Sequence, residues 1–243
     1  MFLGAGTAIN VVAIVLGTLL GLLVGRRFSE KTRELVTQAM GMITLIAAAD
    51  ALSKFWDEGF QSSFGRGVPI LIILFSLASG ALLGSALRIE ERIERFGERL
   101  KDRYSRGSNP RFVDGFLAAS VLFAVGPMAI LGSISDGMGE GIELLVLKST
   151  LDFFIAIAFT TSFGWGVGLS AIPVGLYQIA WTSVGAILGQ ILDENQIIAL
   201  TVVGGTLLVG ISLFTMGIKR IAIGNLLPAL GIAPIAVALI STF

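Results

Sequence analysis

Stretches of about twenty nearly uncharged, apolar residues recur along the whole chain, near 4–25, 36–54, 68–88, 112–134, 144–163, 172–192, 197–217 and 221–242. A hydrocarbon core of roughly 30 Å is crossed by a helix of about that length. The pattern therefore predicts an all-α, polytopic transmembrane bundle of about eight spans, forming a single transmembrane domain over 1–243. A closed β-barrel is the other spanning solution, but these runs are too long and continuous to be alternating strands. Composition agrees. Only 14% of the residues are charged, against roughly 25% in a soluble domain, and the mean hydropathy is +0.88. No basic residue precedes the first run, and Arg26 and Arg27 follow it, which is not the layout of a cleaved signal peptide.

The chain has neither Cys nor His. Disulfides, zinc sites, haem ligation by His, Cys nucleophiles and Ser-His-Asp triads are therefore excluded, and no cofactor or resident metal is expected. Lys plus Arg and Asp plus Glu both number 17, so no global field points to nucleic acid. The bilayer is the expected partner.

Basic residues cluster between spans one and two (Arg26, Arg27, Lys31, Arg33), between three and four (Arg88 to Arg111) and between seven and eight (Lys219, Arg220). The other side carries Asp57, Glu58, Asp136, Glu140, Glu143, Asp193 and Glu194. The positive-inside rule then makes the basic loops cytoplasmic and places both termini outside. Within 88–106, Ile89, Ile93, Phe96 and Leu100 recur at helical spacing among Arg and Glu. That predicts a cytoplasmic amphipathic helix, either a solvated helix resting on the bundle or a basic element that senses lipid.

Three stretches look alike: Leu16-Gly17-Thr18-Leu19-Leu20-Gly21, Ser79-Gly80-Ala81-Leu82-Leu83-Gly84 and Val184-Gly185-Ala186-Ile187-Leu188-Gly189. A GxxxG step lets two helices approach closely, which is one sufficient explanation. The other is an inverted-topology repeat, as in many secondary transporters, because spans one and three run inward while span six runs outward. The division that fits best sets spans three to five against six to eight, with spans one and two as a partial extra copy.

Prolines break the spans at two Gly-rich, polar places. One is Gly126-Pro127 followed by Gly132, Ser133 and Asp136; the other is Gly224-Asn225-Leu226-Leu227-Pro228. Proline removes a backbone donor, and carbonyls freed in a membrane need protein or a water-lined cavity. Such breaks suit a solute site, and equally an ordinary kink or helix start. In span five, Lys148 and Asp152 are four residues apart and share a face. Intramembrane ionisable residues are functional candidates by default, although a structural ion pair fits the same spacing. Asn10 and Gln178 are uncharged polar groups that either bridge helices or line a cavity. The candidate solute- or ion-binding residues are thus Asp152, Lys148, Asp136, Ser133, Asn225, Gln178 and Asn10, with Gly126, Pro127, Gly132 and Pro228 forming the broken helices. Asp50 with Lys54, and Asp114 at a helix start, read as structural.

Several of these motifs together resemble the YqgA/YdfK-like family of uncharacterised bacterial inner-membrane proteins. They are Gly6-Thr7-Ala8-Ile9-Asn10, the Gly126-Pro127-Met128 break, Lys148-Ser149 with Leu151-Asp152, Ser170-Ala171-Ile172-Pro173 with Gln178, and Gly224-Asn225-Leu226-Leu227-Pro228-Ala229-Leu230. The likeness covers nearly the whole chain. It departs at Ile211-Ser212-Leu213-Phe214, where the family leads one to expect a Gly-Leu-Asn-like stretch. The resemblance implies a transporter without naming a substrate.

The functional expectation is a secondary transporter or ion-coupled permease for a small solute, working by alternating access around a midplane site. A passive channel is its near relative, but no filter-like ring of polar residues is visible. A membrane scaffold assembling through GxxxG faces is the alternative class. An enzyme is not expected, since no nucleotide-binding loop or metal-ligand spacing appears. A small bundle of this kind is expected to form a homo-oligomer.

Overall fold

The computed structural model describes residues 2–25, 28–104, 111–124, 127–139, 141–188 and 192–241. The elements are α1 (Ala5–Gly25), α2 (Glu30–Ser53), α3 (Glu58–Ser62), α4 (Val68–Ala86), α5 (Ile89–Tyr104), α6 (Phe112–Ala124), α7 (Pro127–Met138), α8 (Glu143–Phe163), α9 (Gly166–Leu169), α10 (Ala171–Leu188), α11 (Glu194–Thr215) and α12 (Pro228–Ser241). One-turn 3-10 segments precede α3 (Lys54–Trp56) and α12 (Ile223–Leu226). Among the described residues seven helices are long and apolar enough to cross a membrane, or eight if the bent pair of α6 and α7 counts as one span. The chain is an all-helical membrane protein.

Local chemistry sets the boundaries. The acidic residues Asp114 and Glu143 fall in the first turns of α6 and α8, where they oppose the positive end of the helix. Asp193 starts α11 with a capping box, its carboxylate accepting from the Gln196 amide at 2.8 Å while Gln196 Oε1 accepts from the Asp193 amide. Arg88 takes a left-handed φ of 50° between α4 and α5, so the amphipathic helix is set off from span three rather than continuing it.

The break expected around Gly126-Pro127 is present: α6 and α7 meet at an angle of 59°. Gly126 itself lies outside the described residues. The second proline break is milder, because Pro228 occupies the first position of α12, where its missing amide hydrogen costs nothing. Gly132 belongs to no break. It lies inside α7, and a side chain there would press on Leu144 and Leu145.

The helices form two compact units, residues 1–40 with 94–191 and residues 41–93 with 192–243. Neither follows the division into spans three to five and six to eight. The first holds α1 and α6 to α10; the second holds α4, α11 and α12 with the end of α2. Glycine stripes explain that grouping, since each finds its partner far along the chain. In the first unit Gly17, Gly21 and Gly25 of α1 lie against Phe153, Ile157 and Thr161 of α8, so the two helices run parallel. In the second, Gly80 and Gly84 of α4 lie against Ala229 and Asn225, so α4 and the start of α12 run antiparallel. Gly185 of α10 rests on Ile134 of α7, while Gly189 lies outside the described residues.

Candidate functional site

Four helices of the first unit bring most of the sequence-predicted site residues together. On α8 the buried Lys148 ammonium donates to the Asp152 carboxylate, as the four-residue spacing predicts. Lys148 also lies 5.8 Å from the centre of the Phe123 ring of α6, a cation–π contact within the usual range. Asp152 is nine residues into α8, about 14 Å along a helix about 30 Å long. That is close to its midpoint.

The Asn10 carboxamide of α1 lies beside Asp152. Asn10 belongs to the same α1 stripe as Gly6, Gly17 and Gly21, which brings α1 close to α8. Helices α9 and α10 run past α1 in the opposite sense, with Gly168 of α9 against Thr18 and Gly175 of α10 against Val11. One turn beyond Gly175, that register sets the fully buried Gln178 at the level of Thr7 and Ala8. Helix α7 closes the group, since Gly137 lies against the Thr182 carbonyl of α10.

The hydrogen bonds of this group are incomplete. Both ends of the Gln178 carboxamide and the hydroxyls of Thr7, Thr18, Thr160 and Thr182 are buried without a hydrogen-bond partner, while the buried Asn10 carboxamide has Asp152 as its neighbour. Every one of these orphans belongs to the first unit. Among the described residues of the second unit, Ser76, Thr201 and Thr215 bond to carbonyls of their own helices, and Ser212 donates to the Gly41 carbonyl at 2.7 Å. Buried groups are nearly always paired, and exceptions call for an explanation.

Other candidates have structural employment. Asp136 of α7 accepts from the amides of Gly4 at 3.3 Å and Gly6 at 3.0 Å, which caps the start of α1. Ser133 donates to the Ala129 carbonyl of its own helix. Asn225 is in the second unit, where its Oδ1 accepts from the Glu90 amide at 2.9 Å and the Glu90 carboxylate accepts from the Gly224 amide at 2.6 Å. The structure sets Asn10 beside the Lys148–Asp152 pair and places Gln178 of α10 at the level of Thr7 and Ala8 of α1, while Asn225 belongs to the second unit. Sequence reasoning missed Thr7, Thr18 and Thr182. The available signal was that Thr7 and Thr18 share a face with the α1 glycines, and Thr182 a face with Gln178 and Gly185.

A groove outside this group runs between α1 and α8, lined by Ile9, Val12, Leu16, Val146, Phe153 and Phe154 among others. It is almost wholly apolar and suits lipid chains. No group of three or more acidic side chains placed to hold a metal ion occurs among the described residues.

Comparison with known proteins agrees with the fold and adds no chemistry. No solved structure matches the chain. It is 26% identical to the uncharacterized membrane protein YdfK of Bacillus subtilis (strain 168) over 238 residues, covering 98% of this chain and 97% of the relative. It is 28% identical to the uncharacterized protein YqgA of Escherichia coli (strain K12) over 232 residues, 94% of each. The model of the family described as protein of unknown function (DUF554) matches residues 5–238, nearly the full length, and the chain belongs to that family.

Proposed function

We propose that the protein is a secondary carrier for a small polar solute, with its binding site in the first unit around Asn10, Lys148, Asp152 and Gln178. The observation that carries this reading is that, among the described residues, the unpartnered buried polar groups all fall in that unit. One carboxamide and four hydroxyls without partners cost stability, about 1–3 kcal/mol for each group left fully unpaired. A bundle built for packing alone has no reason to keep them. A site that exchanges solute for water does. The buried ion pair beside them adds charge that a membrane helix keeps only at a cost.

The bend between α6 and α7 gives this unit an element able to move by alternating access. An inverted repeat forms part of the proposal. The like glycine motifs of α1 and α10 lie on helices that run in opposite senses, with Gly175 of α10 against Val11 of α1. The proposed location is the bacterial inner membrane, and the bias of basic residues toward one set of loops supports an orientation with both termini outside.

Assembly through GxxxG faces, the scaffold reading, has less support. Gly17, Gly21, Gly80, Gly84 and Gly185 all face neighbours within the chain, so a homo-oligomer would use other surfaces. An enzymatic role has no support from a paired acid and base, since Asp136 caps α1 and Asp152 pairs with Lys148.

Purified protein, wild type and Asp152→Asn, tests the proposal in proteoliposomes and by thermal unfolding against a panel of ions and metabolites. The expected result is a solute that stabilises and is taken up by the wild type, with both responses lost in the variant. If the two proteins remain indistinguishable across the panel, the carrier reading fails and the scaffold reading replaces it.

A further inference from the structure

We infer that the site accepts a small zwitterion of zero net charge, one carrying an ammonium and a carboxylate as an amino acid does. This rests on the carrier reading above and specifies its solute class. Charge balance is the first argument. Among the described residues, the charged side chains that carry the site, Lys148 and Asp152, are one cation and one anion, paired with each other; the Asp136 carboxylate is occupied by the amides of α1. A solute of either sign would bring an uncompensated charge to a place about midway along a membrane helix, where solvation cannot offset it.

The second argument concerns what can open the pair. Separating Lys148 from Asp152 leaves two buried charges without partners, far worse than leaving them joined. A zwitterion replaces both partners at once, its carboxylate taking the Lys148 ammonium and its ammonium taking the Asp152 carboxylate. The net charge of the site stays the same before and after. The remaining donors and acceptors of the solute meet the Asn10 carboxamide beside Asp152 and groups that are buried and unpartnered, the Gln178 carboxamide and the hydroxyls of Thr7 and Thr182. Each carboxamide offers both a donor and an acceptor, so the same set serves either end of the solute.

The experiment is thermal unfolding of the detergent-purified full chain with the twenty standard amino acids and betaine, beside acetate, methylammonium, acetamide and sodium. These last four carry the charged halves, the neutral analogue and a bare cation. The variant is Lys148→Gln/Asp152→Asn, which removes both charges and leaves neither unpaired. At least one zwitterion should raise the wild-type midpoint by several degrees at saturation, while acetate, methylammonium, acetamide and sodium leave it unmoved. The double variant should lose the response while eluting as a folded protein. If that variant does not fold, Gln178→Leu takes its place, and its response to the zwitterion should fall at least tenfold in affinity.

Stabilisation by acetamide that persists in the double variant would overturn the zwitterion and keep the carrier site. Stabilisation by acetate, methylammonium or sodium alone would overturn it in favour of a charged solute, again keeping the site. If nothing in the panel moves the wild type, the orphan groups hold water only, and the solute class and the site fall together.

Discussion

The Asp136 carboxylate and the Gly6 amide, 130 residues apart in the chain, meet at 3.0 Å. The second oxygen of the same carboxylate reaches the Gly4 amide. The free amides at the start of α1 are thus held by a side chain of α7, a cap supplied from another helix rather than from the preceding turn. Asp136→Ala should lower the stability of the purified protein by about 1–3 kcal/mol, because it leaves buried donors unpaired. Asp136→Asn keeps an acceptor and loses the charge, and should fall between wild type and the alanine variant. Thermal or denaturant unfolding in detergent measures both. Equal stability of all three proteins would remove the capping role and return Asp136 to the solute site.

Glu90 and the Gly224–Asn225 pair hold each other in a comparable way. The backbone amide at Glu90 donates to the Asn225 side chain, and the Glu90 side chain accepts from the backbone amide of Gly224. A reciprocal pair of this kind predicts strong non-additivity. Glu90→Ala and Asn225→Ala should each destabilise by about 1–2 kcal/mol, and the double variant should differ from their sum by at least about 0.5 kcal/mol. A double-mutant cycle on unfolding free energies makes the measurement, and simple additivity would mean that the two contacts are independent.

Gly84 of α4 sits directly over the Asn225 carbonyl, where any Cβ would overlap backbone that has no room to yield. Gly231 of α12 has nothing within 4 Å of its would-be Cβ. Gly84→Ala should therefore cost about 1–3 kcal/mol or more through overpacking. Gly231→Ala should be neutral or stabilise by up to about 1 kcal/mol through helix propensity. Membrane-inserted yield and unfolding midpoint of the two variants decide the matter, and matched behaviour would contradict the close approach of α4 and α12.

The bundle was legible in the sequence because span length and hydropathy are local. Each expected span has its helix, and the Gly126-Pro127 break sits where α6 turns into α7. The Lys148–Asp152 pair was legible for the same reason, since one helix turn joins the two residues. The pairing of helices was not. Gly17 carries no mark that names Phe153 on α8, nor Gly80 any that names Ala229, and the repeat division built on such motifs does not match the packing units. Asp136 and Asn225 stood out as polar residues near prolines, but their partners are 130 and 135 residues away. A sequence read locally cannot tell a cap for a distant helix from a ligand for a solute.

Gln178 separates stability from function most cleanly. Its carboxamide is fully buried and both ends are unpartnered, so it weakens the folded state compared with an apolar side chain of similar size. Gln178→Leu removes the orphan donor and acceptor while filling nearly the same volume. The variant should be more stable than wild type by about 1–3 kcal/mol, an unusual direction for a change in a packed interior. Its uptake of the transported solute should nevertheless fall, because the group that destabilised the empty site no longer meets the solute. Unfolding midpoint and proteoliposome flux, measured on the same preparation, should move in opposite directions. A stabilised variant with wild-type flux would mean that Gln178 does not touch the solute. A destabilised one would mean that its carboxamide has a structural partner after all.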